Sequence, residues 1–127
     1  MIVRAGELNF RGLPGRISAD PFVGMDGLDL SMRIVTVDPG KRNAHLHPRS
    51  YEAMYVIEGA GHFWEDGVTT PVAQGDCIIV APNTPHATLA DQGVVVRLAC
   101  FFADPDLGSN IQELDTSIGN DAEGGRS

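Results

Sequence analysis

The stretch GKRNAHLHPRSYEAMYVIEG, residues 40–59, decides the fold. His45 and His47 are separated by one residue, so on a strand their side chains point to the same face. Pro48-Arg49-Ser50-Tyr51 then makes a short turn that brings the next strand back alongside, and that strand opens on Glu52. Two imidazoles and a carboxylate can thus reach one point from neighbouring strands.

The rest of the chain keeps the same rhythm. Short runs rich in Val, Ile, Leu, Phe and Tyr are punctuated by Gly, Pro, Asn or Asp, and long helical periodicity is absent. This pattern predicts an all-β sandwich or barrel. The runs read as strands are 30–37, 44–46, 53–58, 61–65, 77–81 and 94–102. Turns fall at Asp38-Pro39-Gly40, Glu58-Gly59-Ala60-Gly61, Glu65-Asp66-Gly67, Gln74-Gly75-Asp76 and Asp91-Gln92-Gly93. Residues 1–28 read as an arm with short strands, since Gly12, Pro14, Gly15, Pro21, Gly24 and Gly27 interrupt any longer element. Leu13-Pro14-Gly15-Arg16 is expected to be an ordered turn without chemistry. Residues 29–114 form the barrel, with one or two helical turns after Pro105. The polar, Gly-rich residues 115–127 are expected to be a disordered end.

His86 completes a metal-binding pattern. It follows Gly75-Asp76, an apolar strand and the turn Pro82-Asn83-Thr84-Pro85. Three neutral imidazoles and one carboxylate, His45, His47, His86 and Glu52, suit one divalent first-row ion such as Fe, Mn, Ni, Cu, Co or Zn. Around an octahedral ion they leave two positions for water, oxygen or a chelating substrate. A structural zinc site would instead be closed and usually cysteine-rich. The competing reading, surface or core histidines, requires all three spacings to coincide by chance.

These residues resemble the two motifs of the cupin family. The first motif is matched by Gly40, His45, His47, Glu52 and Gly59, with four residues instead of five after the first glycine. The second is matched by Gly75, Ala81-Pro82-Asn83 and His86, with Ala81 for proline, Asn83 for glycine and Ala90 for asparagine. Asn tolerates the left-handed conformation that glycine supplies, so the turn survives. The resemblance spans about residues 30–102 and implies a double-stranded β-helix, or jelly-roll barrel. It also implies a homodimer, with the arm's Leu8, Phe10, Leu13, Ile17 and Phe22 packing on a neighbouring subunit's sheet. In some resembling enzymes the position of Asn43 carries a substrate-handling residue. Asn43 shares strand parity with His45, so it is the candidate catalytic residue, and the competing reading is a turn residue.

Charge and composition exclude other classes. The formal net charge is −8, which repels nucleic acid and anionic membranes. No run approaches the roughly 18–20 apolar residues of a membrane span, and no signal-peptide core is visible, so a cytoplasmic protein is expected. Cys77 and Cys100 sit in apolar runs and read as buried hydrophobes.

Strand parity nominates a substrate pocket. Met54 and Val56 share the face of Glu52, while Trp64, Phe63 and Phe101 either line the cavity or fill the core. Arg33 either neutralises a substrate carboxylate or lies on the surface. His62 matches no ligand position and reads as solvent-facing. The expected function is a metal-dependent enzyme acting on a small polar organic molecule that chelates the ion. Oxygenase or C–C-cleaving chemistry is placed ahead of isomerisation, cyclisation or decarboxylation. A non-catalytic module that binds a small ligand is the rival from another class.

Overall fold

The computed structural model describes residues 1–119, and residues 120–127 lie outside them. After a single 3-10 turn at Ala5–Glu7 come eleven strands among the described residues. They are β1 (Phe10–Leu13), β2 (Arg16–Ala19), β3 (Ser31–Val37), β4 (Arg42–Leu46), β5 (Glu52–Glu58), β6 (Ala60–Glu65), β7 (Val68–Ala73), β8 (Cys77–Val80), β9 (His86–Ala90), β10 (Val96–Phe102) and β11 (Gln112–Ile118). A second 3-10 turn, Leu107–Ser109, is the helical turn expected after Pro105. No helix of the described residues is long and apolar enough to cross a membrane.

Two antiparallel sheets carry the chain. One runs β1-β2-β3-β10-β5-β8 and the other β11-β4-β9-β6-β7. Together they make the jelly roll. The core lies between the sheets because each strand turns alternate residues inward. In β5, Glu52, Met54 and Val56 are buried while Ala53 and Tyr55 are exposed. In β10, Val96, Leu98, Cys100 and Phe102 face in. These meet Val35 and Val37 from β3, Phe63 from β6, Val72 from β7 and Val80 from β8 in one apolar cluster.

Two glycines let the strands close on one another. A Cβ at Gly61 would lie 1.9 Å from the Leu89 carbonyl oxygen, and one at Gly59 would lie 2.1 Å from that of Val95. Both obstacles are backbone, so no side chain fits there without moving a strand. Asn83 has φ 62°, the left-handed conformation anticipated for the turn before His86.

Several expectations need correction. The arm is built into the barrel's own sheet: β1 and β2 form a hairpin around Pro14-Gly15, and β2 pairs with β3 from Arg16↔Val37 to Ala19↔Ile34. Of the end expected to be disordered, residues 115–118 belong to β11, which pairs with β4, and residues 120–127 fall outside the described part. Cys77 is exposed on β8, not buried, whereas Cys100 is buried. Strands β7, β9 and β11 had no counterpart among the expected runs.

Candidate metal centre

The four candidate ligands come from both sheets and converge at one end of the barrel. His45 lies on β4 directly opposite His86 of β9. His47 follows one step beyond the end of β4, and Glu52 starts β5 in the other sheet, between Val80 of β8 and Phe102 of β10. All four are buried, with 1–8% exposure, and one ligand atom from each lies within 4.8 Å of the others.

Hydrogen bonds set which ring nitrogens point inward. His47 Nδ1 donates to the Asn110 carbonyl at 2.8 Å, and His86 Nδ1 donates to the Thr84 carbonyl at 2.8 Å. A carbonyl oxygen only accepts, so each ring carries a proton on Nδ1, and in the neutral ring Nε2 presents its lone pair. Those two lone pairs approach one oxygen, Glu52 Oε1, at 3.1 Å from His47 and 2.9 Å from His86. An ionised carboxylate and two imidazole lone pairs repel unless a proton or a cation sits among them. Two donors bonded at right angles to a common ion, each about 2.0–2.1 Å from it, are about 3 Å apart. The observed separations match that edge. His45 Nδ1 and His47 Nε2 are buried without a hydrogen-bond partner, a costly arrangement that a coordinated cation relieves. The residues therefore fit a divalent ion with imidazole nitrogen and carboxylate oxygen ligands.

The surroundings tune the same groups. Burial depresses the pKa of His45 well below its usual value, and His86 and Arg42 reinforce the effect. Burial alone would raise the Glu52 carboxyl, but hydrogen bonds from His47 and His86, with a proton on the Nε2 side, outweigh it and hold the acid well below the usual carboxylate range. Burial, with Glu52 beside it, pushes the Cys100 thiol up, so this sulfur stays protonated at neutral pH.

Asn110 was not anticipated from sequence, yet it is fully buried and holds the His47 side of the site. Its carbonyl orients His47, its Oδ1 accepts from the Arg49 N–H at 2.8 Å, and its Nδ2 donates to Ser50 Oγ at 2.8 Å. Arg49 adds a two-pronged contact to Asp104, with Nε at 3.0 Å. The turn after His47 is thus tied to the segment that carries Asn110. From the other side, the Asn83 N–H donates to the His47 carbonyl at 2.9 Å, linking the turn before His86 to the strand that carries the other histidines.

A cavity of about 560 Å³ opens in front of the cluster and is lined by all four candidate ligands. Of the residues expected to bind substrate, Arg33 and Met54 line it, but Val56, Trp64 and Phe101 do not. Val56 faces inward as expected but lies in the core at 0% exposure. Trp64 and Phe101 have outward parity, and their neighbours Phe63 and Phe102 take the inward places. Asn43 is exposed and does not line the cavity; Arg42 does. The alternation expected from His45 breaks where β4 changes register with β11, between the pairs His45↔Glu113 and Asn43↔Ser117. Arg16, in the turn to which no chemistry was assigned, also lines the cavity. His62 is half-buried away from the cluster, with Nδ1 2.9 Å from Asp91 Oδ1.

The depressed His45 gives acid sensitivity a definite sign. The unfolded chain takes up a proton at this residue near pH 6.5, the folded chain only well below that value, so stability rises with pH in the interval between. Glu52 acts in the same sense further into acid, because its folded pKa is also depressed. Chelator-treated protein should therefore lose Tm steadily from pH 7 to pH 5, by up to about 1.4 kcal/mol of stability per pH unit for one group. Thermal unfolding followed by circular dichroism checks this, and a flat Tm over that range would contradict the arrangement described.

Comparison with known proteins agrees with this architecture. The family model described as Cupin domain matches residues 33–102. In sequence the chain is similar to the L-ectoine synthase of Hyphomonas neptunium, 27% identical over 76% of this chain and 73% of that protein. It is also similar to the L-ectoine synthase of Halomonas elongata, 30% identical over 72% of this chain and 67% of that protein. In structure it resembles Pac13, a nucleoside dehydratase, with a TM-score of 0.73 at 18% identity over 90% of each chain. The motif residues, the two-sheet barrel and the family match agree: this chain belongs to the cupin family.

Proposed function

We propose that this protein is a metal-dependent enzyme whose ion is held by His45, His47, Glu52 and His86 and whose substrate is a small polar organic molecule. One observation carries the reading: the Nε2 lone pairs of His47 and His86 converge on Glu52 Oε1, with both Nδ1 protons committed to backbone carbonyls. A divalent ion bound there supplies Lewis acidity to substrate oxygens and a template for their orientation. The chain's own part is to keep the ligands unprotonated and oriented, to bind substrate in the cavity, and to exclude water with Phe102, Leu98 and Met54 along its walls.

Two chemistries divide this class. Oxygenation or C–C cleavage is the reading made on sequence. Reaction without a change of oxidation state, such as isomerisation, cyclisation or decarboxylation, gains support because two of the sequence relatives are L-ectoine synthases. Elemental analysis of protein purified without added metal should find about one equivalent of a first-row divalent ion. His47→Ala and His86→Ala should lose most of it while far-ultraviolet circular dichroism stays β. Full metal content in either variant would overturn the ligand assignment. Oxygen consumption during turnover then separates the two chemistries, and its absence is expected for the redox-neutral reading.

We further propose that the active species is a homodimer. Tyr55, Ile79 and Phe101 are 43–63% exposed on the outer face of the six-stranded sheet, where β10, β5 and β8 are adjacent. Such a grouped apolar face suits a second copy of the chain. Light scattering at micromolar concentration should give twice the chain mass of 13.5 kDa. A monomer would contradict the proposal.

A further inference from the structure

The chain is acidic overall, yet its cations gather in one place. Of nine Lys and Arg residues, Arg11, Arg16, Arg33 and Arg42 line the cavity in front of the candidate metal ligands. Three carboxylates, Asp20, Glu52 and Glu113, line it with them. Two of the pairings are visible. Arg33 lies 3.4 Å from Asp20, and Arg16 lies 3.8 Å from Glu113.

Arg42 stands apart from this pairing. Its residue is 7% exposed, its Nη1 donates to the Thr88 carbonyl at 2.9 Å, and its buried Nε has no hydrogen-bond partner. Burying a guanidinium is costly unless its donors are met. Burial brings its pKa down to about 10, with Arg16 adding repulsion and Glu113 attracting it, so the group stays charged at neutral pH. A buried cation with an idle donor, beside a second arginine and facing a cavity, is an anion-binding arrangement. Four cations against three carboxylates leave an excess of positive charge, which a divalent ion at the cluster would increase and an anionic ligand would balance.

We propose that Arg42 and Arg16 receive a carboxylate of the substrate, so that the molecule presented to the metal ligands is an organic acid. This deepens the reading of the cluster as a metal-dependent active site, on which the placing of the substrate's other end rests. The arm thereby acquires a role. Its hairpin carries Arg16 to the cavity wall, and β4 carries Arg42 three residues before His45, so both arginines share one cavity with the cluster. The net positive charge of the cavity wall also draws anions into a protein whose overall charge repels them.

Calorimetric titration with malonate tests the proposal, with uncharged malonamide and inorganic phosphate as comparison probes. Metal content is measured on every sample. Malonate should bind the wild-type protein, and malonamide should bind at least about tenfold more weakly, the loss expected for one charge-assisted hydrogen bond. Arg16→Gln and Arg42→Gln should each lose at least about tenfold in malonate affinity with metal content unchanged, while Arg97→Gln on the outer sheet face should match wild type. Should Arg42→Gln fail to fold, Arg16→Gln decides. Unaltered malonate affinity in Arg16→Gln, or equal binding of malonamide, would overturn the proposal. Tighter arginine-dependent binding of phosphate than of malonate would overturn its choice of a carboxylate. Repeating the titration after stripping with EDTA separates this claim from the metal reading. If the wild-type protein holds no metal but still binds malonate through Arg16, the metal reading fails and the anion site stands.

Discussion

Two imidazole lone pairs and one carboxylate oxygen meet inside this barrel at about the van der Waals limit, at 2.9 and 3.1 Å. Nothing in the apolar core asks for that meeting, and electrostatics forbids it unless positive charge lies among the three atoms. Most of the local structure can be understood as maintaining it. The Nδ1 protons of His47 and His86 are tied to backbone carbonyls of Asn110 and Thr84, so neither ring can rotate to relieve the repulsion. His45 is driven neutral by burial. A proton and a metal ion would therefore compete for one site.

The barrel supplies what such a site needs, which is rigidity from both sides. Histidines on β4 and β9 belong to one sheet and Glu52 to the other, so their mutual distances depend on how the two sheets stack. That stacking rests on alternate inward side chains of β3, β5 and β10 and on close strand approach at Gly59 and Gly61. Two loops then lock the open end. The Asn83 turn bonds the His47 carbonyl, and Arg49 with Asp104 clamps the segment bearing Asn110. The cavity in front inherits a charge opposite to that of the chain as a whole, because the arm's hairpin contributes arginines to its wall.

The fold class and the four converging residues were legible because each carried a strong local signal: period-two apolar runs, an HxH pair and a turn needing a left-handed residue at Asn83. What was missed lacked such signals for physical reasons. β7 and β11 are largely exposed, so they show no apolar face, and both lie at the edges of the five-stranded sheet, where polar residues are favoured. Asn110 looks like any loop asparagine until tertiary contact buries it. Asn43 is outward because alternation breaks within β4, where Ala44 and His45 are both buried, and Arg42 takes the place on the cavity wall. The errors at Phe101 and Trp64 were avoidable. Arg97 marks the outward parity of β10, and half-exposed His62 has the same parity as Trp64 on β6.

In the proposed site three imidazole nitrogens and one carboxylate oxygen bind a single ion while the neighbouring thiol of Cys100, which lines the same cavity, stays out of it. X-ray absorption at the edge of the resident metal tests this most directly, because nitrogen or oxygen neighbours at about 2.0–2.2 Å are separated from sulfur at about 2.3 Å. A shell of nitrogen and oxygen only is expected, with the outer scattering of about three imidazole rings. A sulfur neighbour, or a shell without imidazole scattering, would contradict it.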